Sequence, residues 1–481
     1  MSERLLVQRI GLIGLMNLLT NLGGIILLPI LTKNISAGDY GIWAQVNVTV
    51  GLISILILLG LPQSMVRFMA AAKGRDEIQE SFYSILLTVA VAGAMVSIIL
   101  YFFSDTLAAL LFDNNLAVTR VLPLIVFLES INAILFNFFR ASQHIKLYSL
   151  FSLMSMYLSI VLAYYFVSSG QGILGAVIGL LLSKAAICLV MLLLVLARIG
   201  FKLPNFKKIG EFLSFGLPLI PSGLSDWVVN SSDRYVISIF LGTASVGYYS
   251  PGYLLGNIIT MFITPVACIL PVVLSQHYDE NNLTRVETIL NHSLRYFFAL
   301  ALPSVFGLTL LSWPLLSLLS TQEIADKGYI ITPFVAVGML FFGVASILTN
   351  IILLVKKTKY SAIIWIVAAA LNLVLTILLV PRLDILGAAL ATLIAFVFVL
   401  ASTAYYAMGL FPVRVDGRFF LKCLIASLVM SMVILLWHPQ GLLEIAGSIV
   451  ICAAVYFLAL WILKGIDRDE IGHIKNMFII K

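Results

Sequence analysis

The sequence predicts an all-α, polytopic integral membrane protein of about fourteen transmembrane helices. They are expected as two six-helix lobes related by a parallel repeat, followed by two extra C-terminal helices. Three observations lead there. Of the 481 residues, 61% are hydrophobic and only 11% charged, with a mean hydropathy of +1.09, a balance that soluble domains do not hold. The apolar residues gather into runs of roughly 20, the length at which a helix crosses ~30 Å of hydrocarbon. One segment also recurs six runs later in the same register.

Short polar breaks divide the chain into spans at 8–31, 41–66, 81–103, 119–139, 148–168, 173–197, 212–241, 248–274, 292–313, 329–355, 360–380, 385–408, 419–438 and 441–463. The first apolar run, from near Leu5, is too long for a signal-peptide core and has no small-residue cleavage site, so it is expected to stay in the mature protein. Pro218, Pro221, Pro265, Pro271 and Pro303 lie in or beside spans seven to nine and predict kinks there, because proline cannot donate to the helical ladder. No connection exceeds about twenty residues, and the longest outer ones, 104–118 and 314–328, leave no room for an extramembrane catalytic domain.

Placing both termini in the cytoplasm puts 22 of the 29 Lys and Arg residues on that side, including Arg67, Lys73, Arg75, Arg198, Lys202, Lys207, Lys208, Lys356, Lys357, Lys359 and a basic tail from Lys464. Only Lys33, Arg120, Lys327 and Arg382 fall outside, and three cations lie within spans. That asymmetry orients the chain in a cell (inner or plasma) membrane, and it accounts for the net charge of +7 with no nucleic-acid partner. Cys188, Cys268, Cys423 and Cys452 all sit in apolar runs and are read as small packing residues. The sequence offers no metal site and no cofactor motif. It also lacks a Gly-rich loop ending in Lys-Ser/Thr, so no ATP hydrolysis is expected.

The recurring segment is Ile-Leu-Gly-Ala, at 173–176 and 385–388, preceded at the same distance by Tyr148-Ser149 and Tyr360-Ser361. Residues 148–176 align with 360–388 without a gap at six identities in 29, and the two copies open spans five and six and spans eleven and twelve. A looser echo sets Tyr40-Gly41-Ile42-Trp43 opposite Val246-Gly247-Tyr248-Tyr249. A shift of six spans preserves orientation, which makes the repeat parallel, about an axis along the membrane normal. The expected domains are therefore 1–205, 206–410 and a C-terminal part, 411–481, of two helices and a tail.

The stretches "LPILTKNISAGDYGIWA" (28–44), "SFGLPLIPSGLSDWVVNSSDRYVISIFLGTASVGYYSPGY" (214–253) and "ALNLVLTILLVPRLDILGAALATLI" (370–394) resemble the polysaccharide transporter family. That family lies within the multidrug/oligosaccharidyl-lipid/polysaccharide exporter superfamily and includes O-antigen flippases. The resemblance implies a two-lobed flippase that moves a polyprenyl-(pyro)phosphate-linked oligosaccharide from the cytoplasmic to the outer leaflet by alternating access, for cell-surface polysaccharide synthesis. The partners it implies are the lipid-linked glycan, membrane lipids, H+ or another coupling cation, and other polysaccharide-assembly proteins. Where related lipid II flippases carry arginines in the first span, this chain has Asn17, Thr20 and Asn21, which points away from lipid II.

Charges at mid-membrane cost about 2.5–3.5 kcal/mol each on insertion and tend to face a cavity or a partner. Glu129, Lys184 and Asp226 lie near the midpoints of spans four, six and seven. Glu129 shares a helical stripe with Asn132 and Arg140, and Asp226 shares one with Asn230 and Asp233. Arg234 is turned roughly 100° from Asp233 and is expected to meet a neighbouring helix.

Two readings stand for each candidate. Glu129 and Lys184 form a structural pair or line a cavity; Asp226 and Asp233 couple an ion or hold helices together. Arg295 snorkels or contacts phosphate, and Asn17 and Asn21 serve helix packing with Gly24 or hydrogen-bond a sugar. Lys184, Arg295 and Arg234 are the candidate cationic contacts on the substrate path. The competing functions are a cation-coupled drug antiporter of the same superfamily, a membrane-embedded glycan polymerase or ligase, and a scaffold. The chain is expected to be no enzyme.

Overall fold

An apolar segment with no water around it satisfies its backbone N–H and C=O groups only by coiling into a helix or closing into a barrel, and these runs coil. A computed structural model describes the backbone of residues 3–69, 74–411 and 416–465, with side chains from Gly14 onward except that of Cys268. Lys73, the tail beyond residue 465 and both chain ends, on which the expected orientation partly rests, lie outside the described residues.

Helix α1 (Glu3–Thr32) is followed by α2 (Ala37–Leu58), which starts at Ser36, whose hydroxyl accepts the Asp39 N–H at 3.0 Å. The expected second span continued to 66. The chain instead breaks at Leu59 (φ 50°) and Gly60 (φ 69°) and restarts as α3 (Leu61–Met69). Glycine is needed at 60, since a Cβ there would overlap the backbone of Gly216. Next come α4 (Arg75–Phe102), α5 (Ser104–Leu111) and α6 (Leu116–Ala141). Helix α5 occupies part of what was expected to be an outer loop.

Helices α7 (Ile145–Phe166) and α8 (Gly172–Ile199) pack on one another across a π-helical turn, with Gly170 at φ 83°. Then α9 (Ile209–Gly216) and α10 (Ile220–Leu241) are joined by a 3₁₀ turn carrying Pro218. A second 3₁₀ turn, Asn257–Ile259, joins α11 (Thr243–Gly256) to α12 (Thr260–Asp279). Pro265 and Pro271 lie inside α12, and Pro303 inside α13 (Leu283–Leu310). Two short helices, α14 (Ser312–Leu319) and α15 (Gln322–Gly328), replace the other expected outer loop, and α16 (Ile331–Leu354) follows. The chain continues as α17 (Thr358–Leu410), α18 (Gly417–Trp437) and α19 (Leu442–Ile462).

The 53 residues of α17 are broken at Asp384 (φ 55°, ψ −148°) and fold back on themselves. Asn372 Nδ2 donates to Thr392 Oγ1 across the hairpin at 3.2 Å, and a Cβ on Gly387 would overlap the backbone of Leu379. Twelve helices among the described residues are long and apolar enough to span a membrane. Two of them, 145–199 and 358–410, are hairpins of this kind, and dividing both turns the twelve into fourteen.

The two reversals correspond. Gly172, at φ 56° and ψ −142°, lies 212 positions before Asp384, the same offset that separates the two Ile-Leu-Gly-Ala words. The repeat therefore extends from the sequence into the backbone dihedrals.

The described residues fall into two compact units, those up to 251 with 365–395, and 252–364 with those from 396 to 465. In the first, α6 is central: Leu122, Ile125, Val126, Ile134 and Leu135 are fully buried against its neighbours α2, α4 and α8. Gly179 lets α8 approach the backbone of α7 at Ala163. In the second, α16 packs on α12 and α13, and the Phe297 ring fills the place a Cβ on Gly343 would take. Helices α18 and α19 pair with each other, and α18 lies against α13.

Candidate functional site

The first cluster lies between α6 and α8. The Lys184 ammonium and Glu129 carboxylate form an ion pair, with the two side chains 15% and 35% exposed. Asn132, one turn along α6 from Glu129, donates Nδ2 to the Lys184 carbonyl at 3.0 Å. Its Oδ1 is buried and has no partner among the described residues. Two of the three stripe residues expected on this helix thus meet α8, whereas Arg140 is exposed at the helix end. The cluster holds one anion and one cation side by side in an apolar layer, where each lowers the other's desolvation cost.

The second cluster is built on α10. Asp233 is fully buried. One carboxylate oxygen accepts Arg234 Nη1 at 2.8 Å, and the other accepts the Tyr249 hydroxyl of α11 at 2.5 Å. Arg234 donates to Asn230 O on its own helix at 2.5 Å and meets the neighbouring α11, its guanidinium lying 5.4 Å from the Tyr249 ring centre. Asp233 adds a second link to α11 through the Tyr249 hydroxyl. Asp226 is exposed, and its Oδ1 accepts Asn230 Nδ2 at 3.1 Å. An exposed carboxylate in a spanning helix needs an aqueous space in front of it.

Residues that sequence reasoning did not single out tie α2 to this cluster. Gln45, fully buried, donates Nε2 to the Arg234 carbonyl at 2.8 Å. Tyr235 donates to Thr49 Oγ1 at 2.7 Å, and Trp227 Nε1 to Val48 O at 3.2 Å. At the start of α2 and α11 the contact is reciprocal: a Cβ on Gly41 would overlap the Thr243 carbonyl, and one on Gly247 would overlap the Ala37 carbonyl. The available signal was the echo of Tyr-Gly-Ile-Trp and Val-Gly-Tyr-Tyr, whose glycines are these two.

Arg295 belongs to the second unit. Its guanidinium sits 4.5 Å from the ring centre of Phe419 and donates to the Gly465 carbonyl at 3.3 Å. Asn17 is half-buried and Asn21 exposed on α1, and the Thr20 hydroxyl between them bonds back to Met16 O. The structure thus brings Glu129 to Lys184 and Asp233 to Arg234, and gives Arg295 and the α1 asparagines separate surroundings.

Helices of spanning length, two of them folded back at mid-length, with ionisable side chains held inside the apolar layer, define a multi-pass membrane protein. Residues 6–277, more than half of the chain, match the family described as Polysaccharide biosynthesis protein, and the chain belongs to that family. Residues 218–378 match the MatE family.

Among curated relatives, the Probable low-salt glycan biosynthesis flippase of Haloferax volcanii is 22% identical over 232 residues, covering 48% of this chain and 49% of that one. The Probable lipid II flippase MurJ of Rickettsia prowazekii is 24% identical over 294 residues, covering 56% of each. The chain thus spans about half the length of the curated relatives it matches. Among solved structures, lipid II flippase MurJ in its inward closed conformation aligns with a TM-score of 0.75 at 18% identity, over 95% of this chain and 99% of that one.

Proposed function

We propose that this chain moves a lipid-linked, anionic glycan from the cytoplasmic to the outer leaflet by alternating access, in the synthesis of a cell-surface polysaccharide. The family match over residues 6–277 carries the reading. The names of the relatives and the shared fold with a flippase support it. The physical task fits the residues: a glycan diphosphate cannot cross hydrocarbon unaided, and mid-span charges are retained only where a cavity or partner offsets their cost.

In this reading Lys184, freed from Glu129, and Arg295 meet the diphosphate or acidic sugars, with Arg234 on the same path. Asn17 and Asn21 hydrogen-bond the sugar. Glu129, Asp226 and Asp233 take up a coupling cation or hold the helices in place. No bond is made or broken, so the protein acts as a carrier and not as an enzyme. The two halves, 1–205 and 206–410, act as repeat-related lobes with 411–481 appended, and both termini face the cytoplasm, the side that receives most of the cations.

A second reading, a cation-coupled antiporter for small molecules, is favoured by the MatE match over 218–378. Deleting the gene in its native host separates the two. The flippase reading expects complete lipid-linked glycan to accumulate with its sugars sealed from an impermeant glycosidase outside; unchanged glycan export together with drug hypersensitivity gives the antiporter.

A further inference from the structure

Residues 199–216, which lead out of α8 and through α9, are fastened to α3 and the first turns of α4 by two sets of contacts of different kind. The first is hydrogen-bonded and, apart from the exposed Arg75, made by buried side chains. Gln79 Nε2 donates to Ile199 O, and Arg75 Nε joins it at 3.2 Å. The Tyr83 hydroxyl donates to Gly200 O at 2.6 Å. Ser84 Oγ donates to Asn205 O at 2.9 Å and accepts Asn205 N–H at 3.0 Å. Further on, Ser64 donates to Phe212 O at 2.7 Å, and the backbones of Gly60 and Gly216 interlock.

The second set is ionic and wet. Lys202 Nζ lies 3.0 Å from Glu80 and 3.3 Å from Asp76, and Lys208 Nζ lies 2.5 Å from Glu77. The hydrogen bond to Glu80, with further help from Asp76, raises the Lys202 pKa. Ser64, Ser84 and Gln79 are at most 9% exposed, whereas Lys202, Lys208, Glu77 and Asp76 are 34%, 55%, 41% and 87% exposed. Beneath the ionic set is a pocket of about 120 Å³ lined by Glu77, Glu80, Asn205, Lys207, Lys208 and Phe212. A space of that size holds a few waters, which screen the pairs. The acids also sit in the first turns of α4, where the helix N-terminus stabilises their charge whether or not a lysine is bound. Releasing the lysines therefore leaves neither partner stranded.

We propose that the ionic set is a releasable latch and the buried set a fixed anchor, so that residues 201–204 and 206–208, on either side of the anchor point at Asn205, have a bound and a loose state whose balance follows ionic strength. Its use in transport rests on the function proposed above: the loose state is the slack that the segment joining the halves of the chain needs during a cycle.

Amide hydrogen exchange of the purified full-length chain in nanodiscs tests the latch without any substrate. Raising NaCl from low to high concentration should speed exchange over 201–204 and 206–208 by about tenfold, the factor that a few exposed pairs jointly supply. Exchange at Asn205, held by Ser84, and over 209–216 should not change. The triple variant Asp76→Asn, Glu77→Gln, Glu80→Gln should show the fast exchange already at low salt. Salt-independent exchange over 201–204 and 206–208 overturns the latch, even if the chain proves to move some other substrate. For the transport role, the pair Glu77→Cys with Lys208→Cys, bridged by a reducible bis-methanethiosulfonate cross-linker long enough to span the lost ion pair, should lose transport and regain it on reduction. Full transport by the cross-linked form overturns that role.

Discussion

Lys184 lies twelve residues from one end of α8 and fifteen from the other, about 18 and 22 Å along the helix axis, too far for its ammonium to reach water at either end. Glu129 meets it instead. A half-buried pair lies between the buried and exposed limits, so removing one partner should cost about 1–3 kcal/mol of stability. Lys184→Ala alone should lose both stability and transport, and Lys184→Arg should keep part of the transport. The double variant Glu129→Ala with Lys184→Ala should recover melting temperature in detergent. If it recovers transport as well, the pair is structural and the phosphate-contact role fails; if it stays folded and inactive, Lys184 acts on substrate.

The two members of this pair were legible in the sequence, because an ionisable residue in an apolar run stands out. Gln45 and Tyr249 were not. Their value lies in what faces them, the Arg234 carbonyl and the Asp233 carboxylate, and a residue's periodicity on its own helix does not reveal its neighbour on another.

At the scale of elements, most spans were readable because length and hydropathy decide them. The breaks at 59–60 and 257–259 were missed, since hydropathy continues through both and only the backbone reverses or tightens. The two hairpin turns were placed by the polar residues that interrupt the apolar runs. Gly172 and Asp384 share a left-handed conformation that strains any residue but glycine. Asp384 tolerates it with help from its own carboxylate, which accepts the Ile385 N–H at 2.7 Å. Gly172→Ala has no such help and should lose about 1–3 kcal/mol, seen as a lower melting temperature; an unchanged melting temperature would refute the strain. The reciprocal contact of α2 with α11 makes a matched prediction. Gly41→Ala and Gly247→Ala each press a methyl into a carbonyl, and each should destabilise by about 1–3 kcal/mol. A large effect at one and none at the other would show that the contact is not symmetric.

At the scale of the whole molecule, the chain belongs to the family described as Polysaccharide biosynthesis protein and shares its fold with a solved lipid II flippase, while direction, substrate and orientation are the account's own claims. Orientation is tested by single cysteines near His144 and Lys359, which should resist an impermeant thiol reagent in intact cells, and at Gly170 and Asp384, which should react. Labelling of the first pair from outside would invert the topology. The central claim, movement of a lipid-linked glycan, is tested most directly with purified protein in proteoliposomes containing a polyprenyl-diphosphate oligosaccharide in both leaflets, its sugar cleaved by an enzyme confined outside. The account predicts that cleavage passes the outer-leaflet fraction and runs toward completion, and that Lys184→Ala slows it sharply. Cleavage that stops at the outer-leaflet fraction, as in protein-free vesicles, with correctly folded wild-type protein present, would contradict it.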